Sequence, residues 1–305
     1  MWALIFSNST TKGASPQIDV SMGMHLGNWQ LDTVNGGMFR LDGGVMFGVV
    51  PKHIWKHVAP ADAQNRILCA NHCVLARDGR HTVLVDTGYG GKYPLLDRKF
   101  YDMESGEPLV ASLAALGVAP EEVDHVLFSH LHFDHVGGAT RHDATQGLLL
   151  TFPNARHVVG RREWEAASSQ LPELATTYPS QELLSLRELT RLRLVEDGEE
   201  IVPGLAARLT GGHTEGHLSY VFRSSGQTAC YPGDVCPSTY HLRRMWHLAY
   251  DVMPLDTRRN KPRLLGEAVD GQWWLLWNHD PTAAVSRVAR DEKREFVAVD
   301  SRKSL

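Results

Sequence analysis

Apolar residues in this chain gather into short runs separated by glycine-rich and polar turns, and the spacing within each run indicates an element. Met38–Leu41, Gly44–Val50 and Ile67–Arg77 alternate or cluster apolar residues as strands do. His81–Asp86 reads as a short buried strand ending at the Thr87-Gly88 turn, and Val123–Phe128 as another. Between them, Leu109–Leu116 has helical spacing and stops at Gly117. Further on, His157–Val159 reads as a strand, and Arg162–Ser168 and Gln181–Leu192 as helices. Leu205–Thr210, Ser219–Arg223 and Thr228–Tyr231 read as strands again. Strands and helices therefore recur in both halves, which is the pattern of an α/β fold.

No repeat, low-complexity tract or linker interrupts this order, so residues 1–305 are expected to form one domain. Residues 1–37 are polar and glycine-rich, with Thr33–Gly37 reading as a turn, and form a lead-in segment. The charge-rich residues 287–305 read as a C-terminal tail, a solvated helix face or frayed end.

Composition narrows the class. The chain has 43% hydrophobic and 22% charged residues, as ordinary globular proteins do, which excludes disordered and fibrous types. Lys and Arg number 31 against 35 Asp and Glu, a net charge of -4, so nothing advertises nucleic acid or an anionic membrane as partner. The longest apolar runs fall far short of the ~20 residues that cross a bilayer. Met1–Phe6 lacks the basic flank of a secretory signal, and the four cysteines (Cys69, Cys73, Cys230, Cys236) form no disulfide framework or Cys-x-x-Cys pair. A cytoplasmic protein acting on a small molecule is the expectation.

The chemistry concentrates after the strand at 123–128. Ser129-His-Leu-His-Phe-Asp-His-Val-Gly-Gly138 packs His130, His132, Asp134 and His135 into six residues, and imidazole with carboxylate is the donor mixture zinc prefers. Chance produces such a spacing on the order of once in 10⁵ starts. If the cluster is the loop after a strand, His130 and His132 point one way while Asp134 and His135 turn toward a neighbouring position, which suits two adjacent ions. Other candidates stand at strand ends: His213 in Gly211-Gly-His-Thr-Glu-Gly-His217, Asp234 in Tyr231-Pro-Gly-Asp-Val235, and His279 in Trp277-Asn-His-Asp-Pro281.

From about Met38 to about Pro281 the chain resembles the metallo-β-lactamase fold superfamily, with five motifs in the family's order. These are His-x-His-x-Asp-His at 130–135, Gly-His-Thr-x-Gly-His at 212–217, Gly-Asp at 233–234, a late His at 279 and Asp-Thr-Gly at 86–88. The resemblance implies an αβ/βα four-layer sandwich, two mixed β-sheets flanked by helices, with the metals at one edge. It further implies one ion on His130, His132 and His213, a second on Asp134, His135 and His279, and Asp234 bridging them. Asp86 then orients a ligand by hydrogen bonding, and His217 is structural.

Two divalent ions sharing a water lower its pKa toward ~7 and supply hydroxide as nucleophile at neutral pH. Asp134 can carry the proton to the leaving group. Zinc is expected, with manganese, iron or cobalt able to occupy the same donors.

The segment from Gly233 to Leu242, running on to Trp246, Tyr250, Asp251 and Pro254, resembles N-acyl-homoserine lactonases and their organophosphate-hydrolysing relatives. Met46 and Phe47 with Met245, Trp246 and Tyr250 are expected to wall an apolar pocket for an acyl chain. Many such lactonases place a Tyr three residues after the bridging Asp. Pro237 stands there in this chain, so Tyr240 or His241 is the expected substitute. Lactone or related ester hydrolysis is the leading expectation. A glyoxalase II-like thioesterase, drawing a basic patch from Arg243, Arg244 and the run Arg258–Arg263, an organophosphate triesterase and a non-catalytic metal-binding or sensor protein remain alternatives. The same resemblance implies a homodimer through the early hairpin.

Overall fold

The computed structural model describes residues 23–169, 171–174, 177–189 and 191–305. Its first half contains β1 (Met24–Leu26), β2 (Trp29–Asp42), β3 (Arg66–Arg77), β4 (Thr82–Val85), β5 (His125–Leu127), a β6–β7 hairpin (Thr140–Asp143, Gly147–Leu150), β8 (Arg156–Gly160) and β9 (Arg191–Val195). Helices α1 (Gly43–Phe47), α2 (Lys52–Trp55), α3 (Leu95–Phe100), α4 (Pro108–Ala115), α5 (Phe133–Val136), α6 (Arg161–Ser168) and α7 (Ser180–Leu189) connect them. The second half runs β10 (Glu200–Val202), β11 (Leu205–Leu209), β12 (Leu218–Ser224), β13 (Gln227–Tyr231), α8 (Pro254–Asp270), β14 (Trp274–Leu276), β15 (Val285–Asp291) and β16 (Glu295–Arg302).

Two seven-stranded mixed sheets result, ordered β1-β2-β3-β4-β5-β8-β9 and β10 through β16 in sequence order. They face each other across one core, where Leu31, Val85, Leu127 and Val158 of the first meet Leu205, Tyr220, Phe222 and Leu276 of the second. Leu109 and Leu113 of α4 and Ala167 of α6 cover the outer face of the first sheet. Leu264, Leu265 and Ala268 of α8 cover that of the second. The order helix, sheet, sheet, helix is the αβ/βα sandwich expected from the sequence. No helix among the described residues is long and apolar enough to cross a membrane.

Parallel pairing positions the site. Strands β4, β5, β8 and β9 run parallel, as do β13 and β14, with α8 as the crossover that a parallel pair requires. Each parallel set therefore delivers its carboxyl ends to one edge, where the loops carry the candidate ligands.

Several local expectations are corrected. Gly44–Val50 is not a strand: the Asp42 carboxylate accepts from the amides of Gly44 (2.8 Å) and Val45 (3.1 Å), and this cap starts α1 instead. Thr33–Gly37 is not a turn but a bulge inside β2, with the register shifting between Asn35 and Met38. Gly37 there has φ 115°, and a Cβ would lie 2.1 Å from the Tyr89 hydroxyl oxygen, so only glycine fits. The helix placed at 181–192 ends at Leu189 and yields to β9.

Residues 287–305 are not a frayed tail. Val288 and Phe296 are buried on either side of the charged run Arg290–Glu295, and β15 pairs with β16 across the last hairpin. Of the lead-in, residues 1–22 lie outside the described residues, while Met24 onward is strand.

His157 on β8 supplies a prediction about acid stability. It is buried against Phe128, ring centroids 6.1 Å apart, and burial lowers its pKa from 6.5 to about 4. Above pH 6.5 the ring is neutral in both states. As pH falls further, the unfolded chain takes up a proton that the folded chain refuses, a loss that is complete near pH 4. At 1.36 kcal/mol per pKa unit the loss is about 3 kcal/mol. His157→Phe is therefore expected to flatten the decline in denaturant midpoint between pH 6.5 and 4; an unchanged slope would exclude His157 as its source.

Candidate active site

His130 and His132 lie in the loop after β5, Asp134 and His135 on α5, His213 between β11 and β12, Asp234 in the turn after β13, and His279 after β14. All seven are buried. Their donor atoms converge. The Nε2 of His213 lies 3.2 Å from the Nε2 of His130 and 2.9 Å from the Nδ1 of His132. A second set holds His279 Nε2 at 3.4 Å and His135 Nε2 at 3.8 Å from Asp134 Oδ2. Asp234 stands between the sets, with Oδ2 3.4 Å from His213 Nε2 and Oδ1 3.2 Å and 3.5 Å from the Nε2 of His279 and His135. Among the described residues, the groups able to hold an ion are His130–His132–His213, His130–His135–Asp234 and Asp134–His135–His279.

The surroundings orient these donors. Asp86, just beyond β4, accepts from the Ser129 amide (2.8 Å) and hydroxyl (2.7 Å), from the Tyr231 hydroxyl (2.8 Å) and from His135 Nδ1 (2.8 Å). The Nδ1 of His213 donates to Asp251 at 2.9 Å, that of His279 to the Ala70 carbonyl at 2.8 Å, and that of His130 to Ser129 Oγ at 3.0 Å. With Nδ1 occupied, all four rings direct Nε2 inward, the atom left to meet an ion. The Nε2 atoms of His135 and His279 are buried without a hydrogen-bond partner. A buried polar nitrogen costs free energy unless satisfied, and a divalent cation satisfies it. The donor set therefore fits two divalent ions.

Charge divides the centre. Burial, reinforced by the neighbouring imidazoles, pushes His130 and His132 well below the usual imidazole range and keeps them neutral, as metal ligands must be. Burial opposes a charge on His135, but Asp234, Asp134 and Asp86 prevail and raise its pKa, drawing positive charge to a position where a bound cation would replace the proton. Asp234 is held well below the usual carboxylate range: burial raises it, and the His279, His135 and His213 rings more than offset that.

Beside the donors opens a cavity of about 780 Å³, floored by His132, Asp134, Asp234 and Tyr250. Leu41, Val45, Phe100, Tyr101 and Phe133 form its walls, and Arg40, Arg66 and Lys99 also line it. Of the residues expected to wall the pocket, Tyr250 does so. Met46 lies behind it and takes the Tyr250 hydroxyl on its sulfur at 3.4 Å.

Phe47, Trp246 and Tyr240 pack into the supporting core rather than the cavity. His241 stacks on Phe47 at 5.0 Å and uses both ring nitrogens, on Ser238 Oγ (2.7 Å) and the Met46 carbonyl (2.8 Å), which leaves it no group for a substrate. Met245 is exposed at the surface. His217 holds Thr210 Oγ1 at 2.6 Å and accepts from the Asp234 amide at 3.0 Å, the structural role the sequence suggested. Cys236 is buried under α8, where burial pushes its thiol up to about 12.

Several contributors escaped sequence reasoning. Glu163 of α6 accepts from the Leu131 amide (2.9 Å) and the Thr214 hydroxyl (2.5 Å), tying together the loops that carry His132 and His213. Asn278 donates to Asp234 Oδ1 at 2.5 Å and fixes that carboxylate. No local motif announces either partnership, though Asn278 adjoins His279.

Two convergent His/Asp sets at the edge of an αβ/βα sandwich, beside a cavity, define a metal-dependent hydrolase. Residues 66–278 match the metallo-beta-lactamase superfamily, and this chain belongs to it. An N-acyl homoserine lactonase, AttM, of Azorhizobium caulinodans is 40% identical over 215 residues, 68% of this chain and 77% of that protein. An N-acyl homoserine lactonase of a Bacillus species is 30% identical over 164 residues, 50% of this chain, and the match spans 58% of its own length. The crystal structure of a probable metal-dependent hydrolase from Staphylococcus aureus superposes with a TM-score of 0.82 at 30% identity, covering 92% of this chain and all of that one.

Proposed function

We propose that this chain opens the ring of a lactone, an N-acyl-homoserine lactone first among candidates, at a dinuclear zinc centre. The observation that carries the reading is the Asp234 carboxylate set between two groups of inward-facing donors. His130, His132 and His213 would hold one ion, Asp134, His135 and His279 the other, and Asp234 both. Two ions bound there would acidify a water and polarise the ester carbonyl. Nitrogen-rich donors with carboxylates favour zinc.

The chain's own groups then have distinct tasks. Asp134 Oδ2 faces the second set and is placed to hand a proton to the departing alkoxide, which becomes the hydroxyl of the ring-opened acid. Phe100, Tyr101 and Phe133 offer an apolar wall for the acyl chain and keep water from the reacting ester. The Tyr250 hydroxyl is held only by a thioether, a weak acceptor, and is free to turn onto a substrate carbonyl. Tyr250 thus takes the place expected of Tyr240 or His241. Tyr250→Phe is expected to lower kcat about 100-fold, the usual effect of losing one carbonyl donor, with bound zinc unchanged. An unaltered kcat would remove Tyr250 from the reaction.

Thioester hydrolysis keeps one supporting observation: Arg40, Arg66 and Lys99 line the cavity and suit a substrate bearing carboxylates. Arg243, Arg244 and the residues of the Arg258–Arg263 run do not line it. The test is proton release by zinc-loaded protein against an acyl-homoserine lactone, S-lactoylglutathione and an aryl phosphotriester. Preference for the lactone supports the proposal. Turnover of the thioester or phosphotriester alone overturns the substrate while leaving the centre intact.

A further inference from the structure

The partner of His213 is itself held by a chain of contacts that reaches α8. Asp251 accepts from His213 Nδ1 through Oδ1, and its Oδ2 lies 3.3 Å from His247 Nδ1, which also points at the Leu248 carbonyl oxygen at 2.9 Å. On the far side of the His247 ring, Arg258 aims two guanidinium hydrogens at Nε2, from Nε at 3.1 Å and Nη2 at 2.9 Å. A guanidinium only donates, so His247 Nε2 must be the acceptor and the ring proton must sit on Nδ1, where the Leu248 carbonyl accepts it and Asp251 Oδ2, which has no hydrogen-bond partner of its own among the described residues, lies beside it. Asp251 and His247 are both buried.

We propose that Arg258 is a positioning residue for the metal centre: by anchoring the His247 ring through Nε2 it keeps the Nδ1–H beside Asp251, and so keeps Asp251 turned onto His213 and the His213 lone pair on the first ion. The proposal rests on the dinuclear reading above. Without the guanidinium, the His247 ring loses both bonds at Nε2 and can turn its Nδ1–H away from Asp251. The carboxylate that orients the ligand then loses that neighbour. Partners of ligating histidines typically contribute 10- to 100-fold in metal affinity, and a residue one step further out is expected to contribute about tenfold.

The experiment measures both zinc affinities of the full-length protein by competition with a chromophoric chelator, together with the melting temperature of the metal-free form. Arg258→Leu and Arg258→Lys are compared with Arg259→Leu, whose exposed guanidinium pairs only with Asp256 on the same helix. Arg258→Leu is expected to weaken one ion about tenfold, leave the other within about twofold, and melt metal-free as Arg259→Leu does. Arg258→Lys, which still donates to Nε2, should recover most of the affinity. Two tight ions in the wild type with unchanged affinities in Arg258→Leu overturn the relay alone, as does an equal weakening of both ions with a lower metal-free melting temperature. Fewer than two tight ions in the wild type overturn the dinuclear reading and the relay with it.

Discussion

Asp234→Ala is expected to abolish turnover and to reduce bound metal from two ions to one or none, with the fold retained. Asp234 presents one oxygen to His213 and the other to His135 and His279, so its carboxylate faces both donor sets. Its removal leaves each set one ligand short and takes away the anion that offsets two adjacent cations. Two ions held there would contribute several kcal/mol of transition-state stabilisation, so the loss in kcat/KM should be about 10³- to 10⁴-fold. Metal analysis and far-ultraviolet circular dichroism on the same sample separate this outcome from unfolding. A variant that keeps two ions and most of its activity would show that Asp234 does not bridge.

Asp86→Asn is expected to be the most damaging change outside the seven candidate ligands. Asp86 stands in the left-handed region at φ 57°, which asparagine tolerates, so the backbone itself should survive the exchange. Its carboxylate, however, accepts from four donors, and its Oδ2 alone takes Ser129 Oγ, His135 Nδ1 and the Tyr231 hydroxyl. An amide nitrogen at that position would face three donors with nothing to accept. Leaving buried donors unpaired costs about 1–3 kcal/mol for each group, so a loss of about 3 kcal/mol or more in unfolding free energy is expected. His135 also loses the partner that keeps its lone pair on Nε2, so the second ion should bind 10- to 100-fold more weakly, at the usual order for such partners. Chemical denaturation with and without zinc distinguishes the two effects. Unchanged affinity for the second ion would mean that His135 is oriented by packing alone.

The site was largely legible because its donors are local in sequence or stand at strand ends. Four of the seven candidate ligands lie within His130–His135, and His213 and Asp234 each follow a strand that could be read from its apolar run; His279 follows β14, which no apolar run announced. What supports them was not legible. Asp251 meets His213 across 38 residues, and Glu163 meets Leu131 across 32 and Thr214 across 51. Such pairings exist only once the sheets are stacked, and no spacing rule encodes them. The cavity wall failed for a related reason. Phe47, Trp246 and His241 are apolar or aromatic and close to the site, yet they stack on one another and form the core behind it. Phe100 and Tyr101, which sit in an unremarkable short helix and its end, face the opening instead.

The elements misread from the sequence share a cause: a local rule was overruled by a specific polar or steric contact. Gly44–Val50 has the apolar content of a strand, but the Asp42 side chain satisfies two amides and starts a helix. Residues 287–305 have the charge of a solvated tail, but Val288 and Phe296 are buried, one on each of two antiparallel strands that complete the second sheet.

The most direct measurement is a titration of zinc into chelator-stripped protein while ring opening of an acyl-homoserine lactone is followed by proton release. Activity that rises from zero and levels off at two ions per chain is the expected result, since both donor sets share Asp234. Activity that levels off at one ion, or persists without metal, would contradict a dinuclear centre.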